Sequence, residues 1–359
     1  LANLIGNINA GGGGVNRNLV INGAMNVAQR GTSSTGIGGS SGYFTCDRWL
    51  IAQSGDGRLT MTQDSSVPTG KGFANSIKLD CTTADTSIAA SEFLQIVQKI
   101  EGQNLQSVGK GTSDAKPITV SFYVKANAAF NFVCELNDLD NTRHISKLFS
   151  TTTDWVKHEI TFPADTTGAF DNDNAASLNL TFWLHAGSTY AGGTLNTASF
   201  ASTTNANRAA GVSSFYSSTD NNFFITGVQL EVGQNPTSFE HINNFGEELA
   251  RCQRYYQRYP FISENTSGLV AHQYNTTNAY GGFRFKRVMR VEPTFSLTAD
   301  ADDFTVYNEG SGRAVSAISS DGMHVDGCSL GFATSSATAG NATAVNGNAD
   351  AGFQFDSEL

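Results

Sequence analysis

Stretches in which apolar and polar residues alternate constrain the fold of this chain more than any other feature. ITVSFYV (118–124) places an apolar residue at every second position, and LNLTFWL (178–184) and WVKHEITF (155–162) repeat the pattern. An alternation of period two is typical of antiparallel strands that cover a core with one face and meet solvent with the other. The pattern therefore predicts an all-β chain.

The number of such stretches predicts the architecture. Further strands are expected at RLTMTQ (58–63), SIKLD (76–80), FLQIVQKI (93–100), NFVCEL (131–136) and FFITGVQL (223–230). Together with the stretches above, they favour a jelly-roll β-sandwich of two sheets, which is an economical way to close so many strands. The composition agrees, because 24 Phe against 3 Trp suits a sandwich core filled by Phe.

Changes in composition divide the chain into four segments. Residues 1–17 include the Gly run 11–14 and are expected to form a flexible linker or attachment segment. The sandwich is expected over 18–241, a helical connector over 242–260, and a smaller C-terminal β domain over 261–359. The Gly run is either a simple linker or a joint to an anchoring domain upstream of this chain.

One short helix is expected between the two β regions. Asn244 is a good N-cap residue, and Pro260 cannot continue a helix. An apolar stripe with heptad-like spacing follows the cap, formed by Phe245, Leu249, Cys252, Tyr256 and Tyr259. Such a stripe predicts self-association through the helix, and the competing interpretation is that the stripe packs on its own sandwich.

Charge and cysteine content exclude several classes of protein. A net charge of −10 argues against a nucleic-acid partner, since such binding requires a basic surface. No apolar run approaches the roughly 20 residues that span a bilayer, so membrane insertion is not expected. The chain has 5 Cys without a C-x-x-C pair, which predicts buried free thiols, no disulfide framework and no metal centre or other cofactor.

Several long motifs give the chain a family resemblance. They are NLVINGAMNVAQRG (18–31), DRW (47–49), NNFFITGVQLEVG (221–233) and ARCQRYY (250–256). In order and spacing these motifs resemble a cassette of bacteriophage tail-fibre and virion-appendage proteins. The resemblance extends over nearly everything after residue 17.

The resemblance implies a carbohydrate-binding-module-like jelly roll carried on a virion, usually as a homotrimer, and no defined active site. The partners it implies are other virion or tail proteins, through the N-terminal segment, and a glycan of the host surface. The protein is then expected in the virion, after synthesis in the host cytoplasm.

Aromatic residues out of phase with the apolar face are candidates for sugar binding. Trp155 and Trp183 both occupy the polar phase of their strands, and a flat ring on a solvated face can stack on a sugar. The loop 185–222 follows the second strand and adds Tyr190, Phe215 and Tyr216 as stacking groups. The alternative is that a neighbouring loop or subunit covers the two tryptophans.

Charged groups suggest weaker alternatives. Asp171 and Asp173, or Asp47 and Glu231, could offer oxygens to Ca²⁺, although DNDN (171–174) is a common turn sequence and lacks the calcium-loop pattern. A basic cluster in the C-terminal domain could bind anionic sugars or guard a solvated edge strand. Its members are Arg284, Lys286, Arg287 and Arg290.

Three functions remain open from the sequence. The first is a fibre subunit that binds the host surface without catalysis, and the second is a capsid or tail decoration that contacts only other virion proteins. The third is a glycan-cleaving tailspike, which would need two carboxylates held at a defined separation. No carboxylate pair is singled out by its context, and no repeat period of a β-helix is visible.

Overall fold

A computed structural model describes residues 17–242, 244–261, 266–348 and 351–359. The chain is an all-β protein and divides into two compact units, with the division between Glu248 and Leu249. The predicted fold class is confirmed: a jelly-roll sandwich is followed by a short helix and a smaller β domain.

The first unit contains the sandwich strands. They are β1 (Ser33–Ile37), β2 (Gly42–Tyr43), β3 (Leu50–Ser54), β4 (Arg58–Asp64), β5 (Ser76–Thr83), β6 (Phe93–Glu101), β7 (Ile118–Ala126), β8 (Asn131–Asp138), β9 (Arg143–Ser150), β10 (Val156–Phe162), β11 (Ala176–Ala186), β12 (Ala201–Ser202) and β13 (Asn222–Val232). Sheet A has the order β1-β4-β5-β13-β7-β10, and sheet B has the order β12-β9-β8-β11-β6-β3-β2. Antiparallel pairing joins the neighbours in both sheets.

Phenylalanine fills the space between the two sheets. Phe122 of sheet A lies 5.0 Å from Phe182 of sheet B between ring centroids, and Phe149 lies 5.1 Å from Phe122. Edge-to-face arrangements of this kind stabilise beyond the area that they bury. The alternation in ITVSFYV and LNLTFWL therefore does what the sequence predicts, since Phe122 and Phe182 are both 0% exposed.

The predicted helix is present but shorter than expected. It spans Phe245–Gln253, and the Asn244 Oδ1 accepts a hydrogen bond from the Gly246 N–H at 3.0 Å, as an N-cap does. The extension of the stripe to Tyr256 and Tyr259 is wrong, because both lie on strand β14 (Tyr256–Pro260).

A tertiary pairing explains the early end of the helix. Strand β14 pairs along its whole length with β23 (Gly352–Asp356), and Tyr256 lies opposite Asp356. Aromatic residues favour strands, so the distant partner outweighs a helical spacing that the local sequence also allows. Of the predicted stripe, Phe245, Leu249 and Cys252 remain on the helix; Phe245 is 59% exposed and Cys252 is buried.

The second unit has its own phenylalanine core. Its remaining strands are β15 (Thr266–Gln273), β16 (Asn278–Arg284), β17 (Thr294–Leu297), β18 (Phe304–Asn308), β19 (Ser311–Ala314), β20 (Ala317–His324), β21 (Gly327–Ala333) and β22 (Ala342–Gly347). Sheet C has the order β14-β23-β17, and sheet D has the order β19-β18-β22-β15-β16-β21-β20. Phe353 of sheet C stacks on Phe304 of sheet D with 5.4 Å between ring centroids.

The cysteines are free thiols, as the sequence predicts. Cys46, Cys81, Cys134 and Cys252 are buried free thiols, and Cys328 is half-buried. Within the described ranges, no helix is long and apolar enough to cross a membrane. Of the predicted linker 1–17, residues 1–16 lie outside the described residues.

Candidate functional site

The outer face of sheet B is covered by residues 187–221, here called the covering segment. This segment contains the four-residue helix Ser188–Ala191 and the short edge strand β12. Backbone hydrogen bonds fix it to the sheet: the Ser213 N–H donates to the Asn131 carbonyl at 2.7 Å, and the Thr203 N–H donates to the Thr142 carbonyl at 2.9 Å. The segment is therefore a packed layer rather than a free loop.

Trp183 lies beneath the covering segment. Its side chain is 0% exposed, with its ring centroid 6.3 Å from Phe93 and 5.2 Å from Tyr190. The prediction that Trp183 presents a ring to solvent is wrong, and the alternative of a covering loop is the correct one. Tyr190 contributes to this small aromatic cluster, and its ring is half-buried there.

A buried ion pair holds the covering segment over Trp183. Arg208 forms two hydrogen bonds to the Glu135 carboxylate, at 2.7 and 2.8 Å, and the Trp183 indole N–H donates to the same carboxylate at 2.9 Å. The Arg208 guanidinium also lies 5.0 Å from the Trp183 ring centroid. Its contact with Glu135 raises the pKa of Arg208 although burial opposes the shift.

Phe215 and Tyr216 lie in the main core between the sheets. They are 0% and 1% exposed, so their predicted role as stacking groups on a surface is wrong. The Tyr216 hydroxyl donates to the Gln53 Oε1 at 2.5 Å, and its ring packs on Gly57, where any side chain would collide with it. Burial raises the pKa of Tyr216. Phe215 and Tyr216 thus fix the end of the covering segment to the main core.

Trp155 has a different environment because it lies beside sheet A. It directly precedes β10, it is half-buried, and its ring lies 6.1 Å from the Phe224 ring. The predicted platform of Trp155 with Trp183 does not form, since the two residues belong to opposite sheets of the sandwich. One of the predicted residues therefore remains on an accessible face.

Trp155 begins a row of side chains on the outer face of sheet A. In the strand register, Phe224 lies opposite both Lys125 and Lys78, and Trp155 precedes Val156, which lies opposite Val124. We call Trp155, Lys125, Phe224 and Lys78 the open row. Its Lys125 ammonium lies 5.5 Å from the Trp155 ring centroid and 4.5 Å from that of Phe224. Lys78 lies 5.6 Å from the Phe224 centroid.

Polar groups fix the two lysines of the open row. The Lys125 ammonium donates to the Ser66 hydroxyl at 2.8 Å, and the Lys78 ammonium lies 2.9 Å from the Asp80 carboxylate. The Lys78 and Asp80 side chains are 28% and 36% exposed, so water reaches this pair. The row thus combines the half-buried Trp155 ring with two ammonium donors, whereas the Phe224 ring between them is only 8% exposed.

A second aromatic group lies on the same face, around Tyr123, which is two residues before Lys125 on β7. Tyr123 packs edge-on against Phe73 at 5.6 Å, and Phe73 packs on Phe239 at 5.0 Å. Gly227 makes this possible: it has a φ of 62° at a bulge in β13, and a side chain there would collide with the Phe73 ring. The open row is therefore bordered by a rigid aromatic wall.

The predicted calcium candidates serve the backbone. The Asp173 carboxylate accepts a hydrogen bond from the Ala175 N–H at 2.9 Å, as an Asx turn requires. The Glu231 carboxylate accepts bonds from Gln229 and from the backbone and hydroxyl of Thr237. These contacts favour the turn interpretation over a metal site.

The basic cluster of the second unit is dispersed among several contacts. Arg284 pairs with Asp326 at 2.5 Å, the Lys286 ammonium lies 4.4 Å from the Tyr259 ring centroid, and Arg290 donates to the Ser357 carbonyl at 2.9 Å. Arg284, His324 and Asp326 border an open cleft of about 400 Å³. The His324 contact lowers the pKa of Asp326, and Arg284 adds to the shift.

Comparisons with known proteins give distant likenesses. No family model matches the chain, and no curated protein matches it. Among solved structures, the enzymatically active domain of bacteriophage CBA120 tailspike protein 4 matches at TM-score 0.34 and 12% identity, over 60% of this chain and 21% of that one. A family 4 carbohydrate-binding module matches at TM-score 0.31 and 14% identity, over 59% of this chain and 97% of that one.

A third likeness is to a family 61 carbohydrate-binding module solved with β-1,4-galactotriose, at TM-score 0.30 and 10% identity, over 60% of this chain and 99% of that one. The chain thus spans about a fifth of the tailspike chain that it matches. Scores of this size record a likeness only, and the site must be judged from this chain's own residues.

The sequence contained partial signals for the open row. Lys125 and Lys78 occupy the polar phase of strands that the alternation identifies, so their outward direction could be predicted. Phe224 could not, because it belongs to the unbroken apolar run FFITGV (223–228) and its direction depends on the register with β5 and β7. The approach of these strands in space is not visible in their sequences.

Proposed function

We propose that this chain is a subunit of a phage tail fibre or another virion appendage that binds a host-surface glycan without catalysis. The open row supports the proposal most directly. Trp155 offers an accessible ring face for the C–H face of a sugar, and Lys125 and Lys78 offer ammonium donors on the same face. The family resemblance of the long motifs supplies the virion setting.

The two ammonium groups favour an acidic glycan. They lie on a chain of net charge −10, so a negatively charged polysaccharide needs a local positive surface to approach it. Charged hydrogen bonds from lysine to a sugar carboxylate or phosphate are stronger than neutral ones. Asp80 weakens the attraction of an acidic glycan to Lys78, because the Asp80 carboxylate lies 2.9 Å from the Lys78 ammonium and partly neutralises its charge.

The test measures binding of purified acidic host polysaccharide to the full chain and its variants. Trp155→Ala should weaken binding about tenfold or more, which corresponds to a loss of about 1.4 kcal/mol. Tyr274→Ala is the matched control, since Tyr274 is an accessible aromatic, 68% exposed, on the second unit. Equal affinities for Trp155→Ala and the unaltered chain would remove the open row as the binding surface.

The absence of catalysis is a separate part of the proposal. Long incubation of the protein with host polysaccharide should leave the length distribution of the sugar chains unchanged. Appearance of shortened oligosaccharides with purified protein would contradict the non-catalytic role, whatever the effect of Trp155→Ala on binding.

The cleft of the second unit is a second candidate surface. Arg284, His324 and Asp326 have side chains that are 80%, 65% and 46% exposed, and they present donors and an acceptor around one opening. Binding that survives Trp155→Ala but is lost in Arg284→Ala would place recognition here.

Self-association is proposed through the helix Phe245–Gln253. Phe245 is 59% exposed at its first turn, and a second copy of the chain could cover this ring in a homotrimer. The N-terminal segment would then join the trimer to other virion proteins. Light scattering at micromolar concentration should give three times the chain mass, and a monomeric mass would contradict this part. If the chain is instead a decoration protein without a glycan partner, it should self-associate but should not bind polysaccharide.

A further inference from the structure

Three side chains that could ligate a metal meet at one end of the neighbouring strands β6 and β11 of sheet B, where the covering segment begins. Asp85 lies in the connection between β5 and β6, Glu92 directly precedes β6, and His185 lies near the end of β11. One ligand atom from each lies within 4.8 Å of those of the other two, and all three residues are buried. Asp85 and Glu92 belong to the same connection, whereas His185 comes from a distant part of the sequence.

Two atoms of this cluster lack the partner that burial requires. Asp85 and His185 are 7% and 1% exposed. Among the described residues, the His185 Nε2 has no hydrogen-bond partner, and the Asp85 Oδ2 has none except the facing Glu92 carboxyl group, if one proton is shared between the two. An unpaired buried polar atom costs about 1–3 kcal/mol, more when it is charged. Native proteins rarely retain such atoms without an ion, a water or a functional reason.

The other contacts of the cluster orient it. The His185 Nδ1 lies 2.8 Å from the Ser214 hydroxyl. In the tautomer in which Nδ1–H donates to that hydroxyl, Nε2 keeps its lone pair for a metal. Asp85 Oδ1 accepts a hydrogen bond from the Ser87 N–H at 3.1 Å, and Glu92 Oε2 accepts one from the Ala89 N–H at 2.8 Å. Each of the three side chains is thus held through one atom by the backbone or by a hydroxyl.

The charges in the cluster call for a cation. No salt bridge to Asp85 or Glu92 occurs among the described residues, and the two carboxylates face each other within the cluster. The nearest carboxylates therefore repel one another unless a proton or a metal ion lies between them.

We propose that Asp85, Glu92 and His185 form a binding site for a divalent transition metal of the zinc class. Two carboxylates and one imidazole suit Zn²⁺, which takes four ligands, so that one position is left for water. Ca²⁺ fits less well, because it prefers six to eight oxygen ligands and seldom accepts imidazole. The site is independent of the proposed glycan surface, which lies on sheet A.

The position of the site gives the metal a structural role. His185 touches Ser214 and lies 5.4 Å from the Tyr216 ring, and both belong to the end of the covering segment. The Gly187 N–H, at the start of that segment, donates to the Glu92 carbonyl at 2.8 Å. A bound metal would therefore join both ends of the covering segment to the β5–β6 connection.

The test is metal binding to the full chain after removal of metals with EDTA, with Zn²⁺ itself as the probe. Isothermal titration should show one tight site per chain, and Zn²⁺ at 100 times its dissociation constant should raise the Tm by ~5 °C or more. Co²⁺ in place of Zn²⁺ should give visible absorption bands without the intense charge transfer of a thiolate ligand. Such charge transfer would assign the ion to a cysteine and overturn the proposal.

Conservative variants separate the site from other buried groups. His185→Asn keeps a donor for Ser214 and removes the Nε2 ligand, and Asp85→Asn keeps the acceptor for Ser87; each should lower Zn²⁺ affinity at least tenfold. His144→Asn is the matched control, because His144 is also buried on sheet B, at 1% exposure, but lies outside the cluster. It should bind Zn²⁺ like the unaltered chain.

The metal-free proteins provide the remaining outcome. In EDTA, Asp85→Asn should be at least as stable as the unaltered chain, since it removes one of two facing carboxylates, which shows that the variant is folded. If the unaltered chain gains no stability from Zn²⁺ while Asp85→Asn is the more stable protein in EDTA, a shared proton occupies the cluster and the proposal fails.

Discussion

The two outer faces of the sandwich differ in how far they expose a tryptophan. Trp183 on sheet B and Trp155 directly before β10 both fall in the polar phase of the sequence pattern, yet Trp183 is 0% exposed and Trp155 is half-buried. The difference lies in what the chain places above each ring. Residues 187–221 pack on sheet B, whereas the open row of sheet A carries long lysine side chains instead of a second layer.

The comparison also separates two uses of cation–ring contacts. Arg208 lies over Trp183 while both of its hydrogen-bonding nitrogens are committed to the buried Glu135 carboxylate. Lys125 lies over Phe224 with a single hydrogen bond to a serine hydroxyl, so the other N–H donors of its ammonium remain for a ligand. The first contact closes a surface and the second leaves one available.

Removal of Trp183 should be the strongest way to break this contrast. Trp183→Ala leaves a cavity in a covered aromatic cluster and removes a hydrogen bond to Glu135, so we expect a loss of ~3–5 kcal/mol in the free energy of unfolding. Trp155→Ala should cost much less, because its ring is only partly buried. Urea unfolding of the two variants checks this. Similar losses for both would contradict the assignment of one covered and one open face.

The ion pair over Trp183 should be the next most sensitive point. Arg208→Met leaves the Glu135 carboxylate buried without its cation, at a cost of ~3 kcal/mol or more. The double variant Arg208→Met with Glu135→Gln should recover part of the loss, since no unpaired charge remains. Thermal unfolding of the single and double variants measures the recovery, and a double variant that is less stable than Arg208→Met alone would refute the role given to the charge.

The sequence predicted the layers of this protein better than its surfaces. Alternation places Phe122, Phe182 and their neighbours in the core, because the direction of a side chain on a strand is a local property. The burial of Trp183 depends on Arg208 and Tyr190, which are brought to it by a segment without regular structure. Tyr256 fits a helical spacing in the sequence but lies on a strand. Its pairing partner, Asp356, is near the end of the chain, so local spacing could not reveal the strand.

The candidate sites show the same limit. Trp155 was found from its phase alone, whereas Phe224 required the register of β13 with its neighbours. Asp85, Glu92 and His185 carry no motif, since β5, β6 and β11 bring them together only in the folded chain. Spacing in the sequence can identify a site that lies within one strand or helix. A site built from several strands becomes visible only when the fold brings those strands together.

Acid should loosen the covered face through its histidines. Burial lowers the pKa of His144, which faces Glu135 and Arg208, and of His185, which faces Asp85 and Glu92. A histidine with a folded pKa below its ordinary value of 6.5 takes up protons more readily in the unfolded chain. Its contribution to stability is therefore complete above about pH 6.5 and declines as the pH falls toward the folded pKa.

The measurement is the Tm in EDTA between about pH 8 and pH 5, a range in which histidine changes charge. The Tm should fall with acidification, and His144→Asn should reduce the slope. Glu92 acts in the opposite direction, because its raised pKa favours proton uptake by the folded chain, so the histidine variant is needed to isolate the effect. A slope that His144→Asn leaves unchanged would contradict this explanation.

The smallest effect on stability should come from the lysines of the open face. Lys78 and Asp80 form an ion pair that water reaches, and such pairs contribute ~0–1 kcal/mol. Lys78→Met should therefore leave the free energy of unfolding almost unchanged, in contrast to Arg208→Met on the covered face.

Glycan binding should respond more strongly to Lys78→Met than stability does, because Lys78 is one of two ammonium groups in the open row. Its replacement should weaken binding of an acidic polysaccharide and make the affinity less dependent on salt, since one fewer charge contact is screened. A salt dependence equal to that of the unaltered chain would show that Lys78 does not meet the glycan, and it would restrict the contact surface to Trp155 and Lys125.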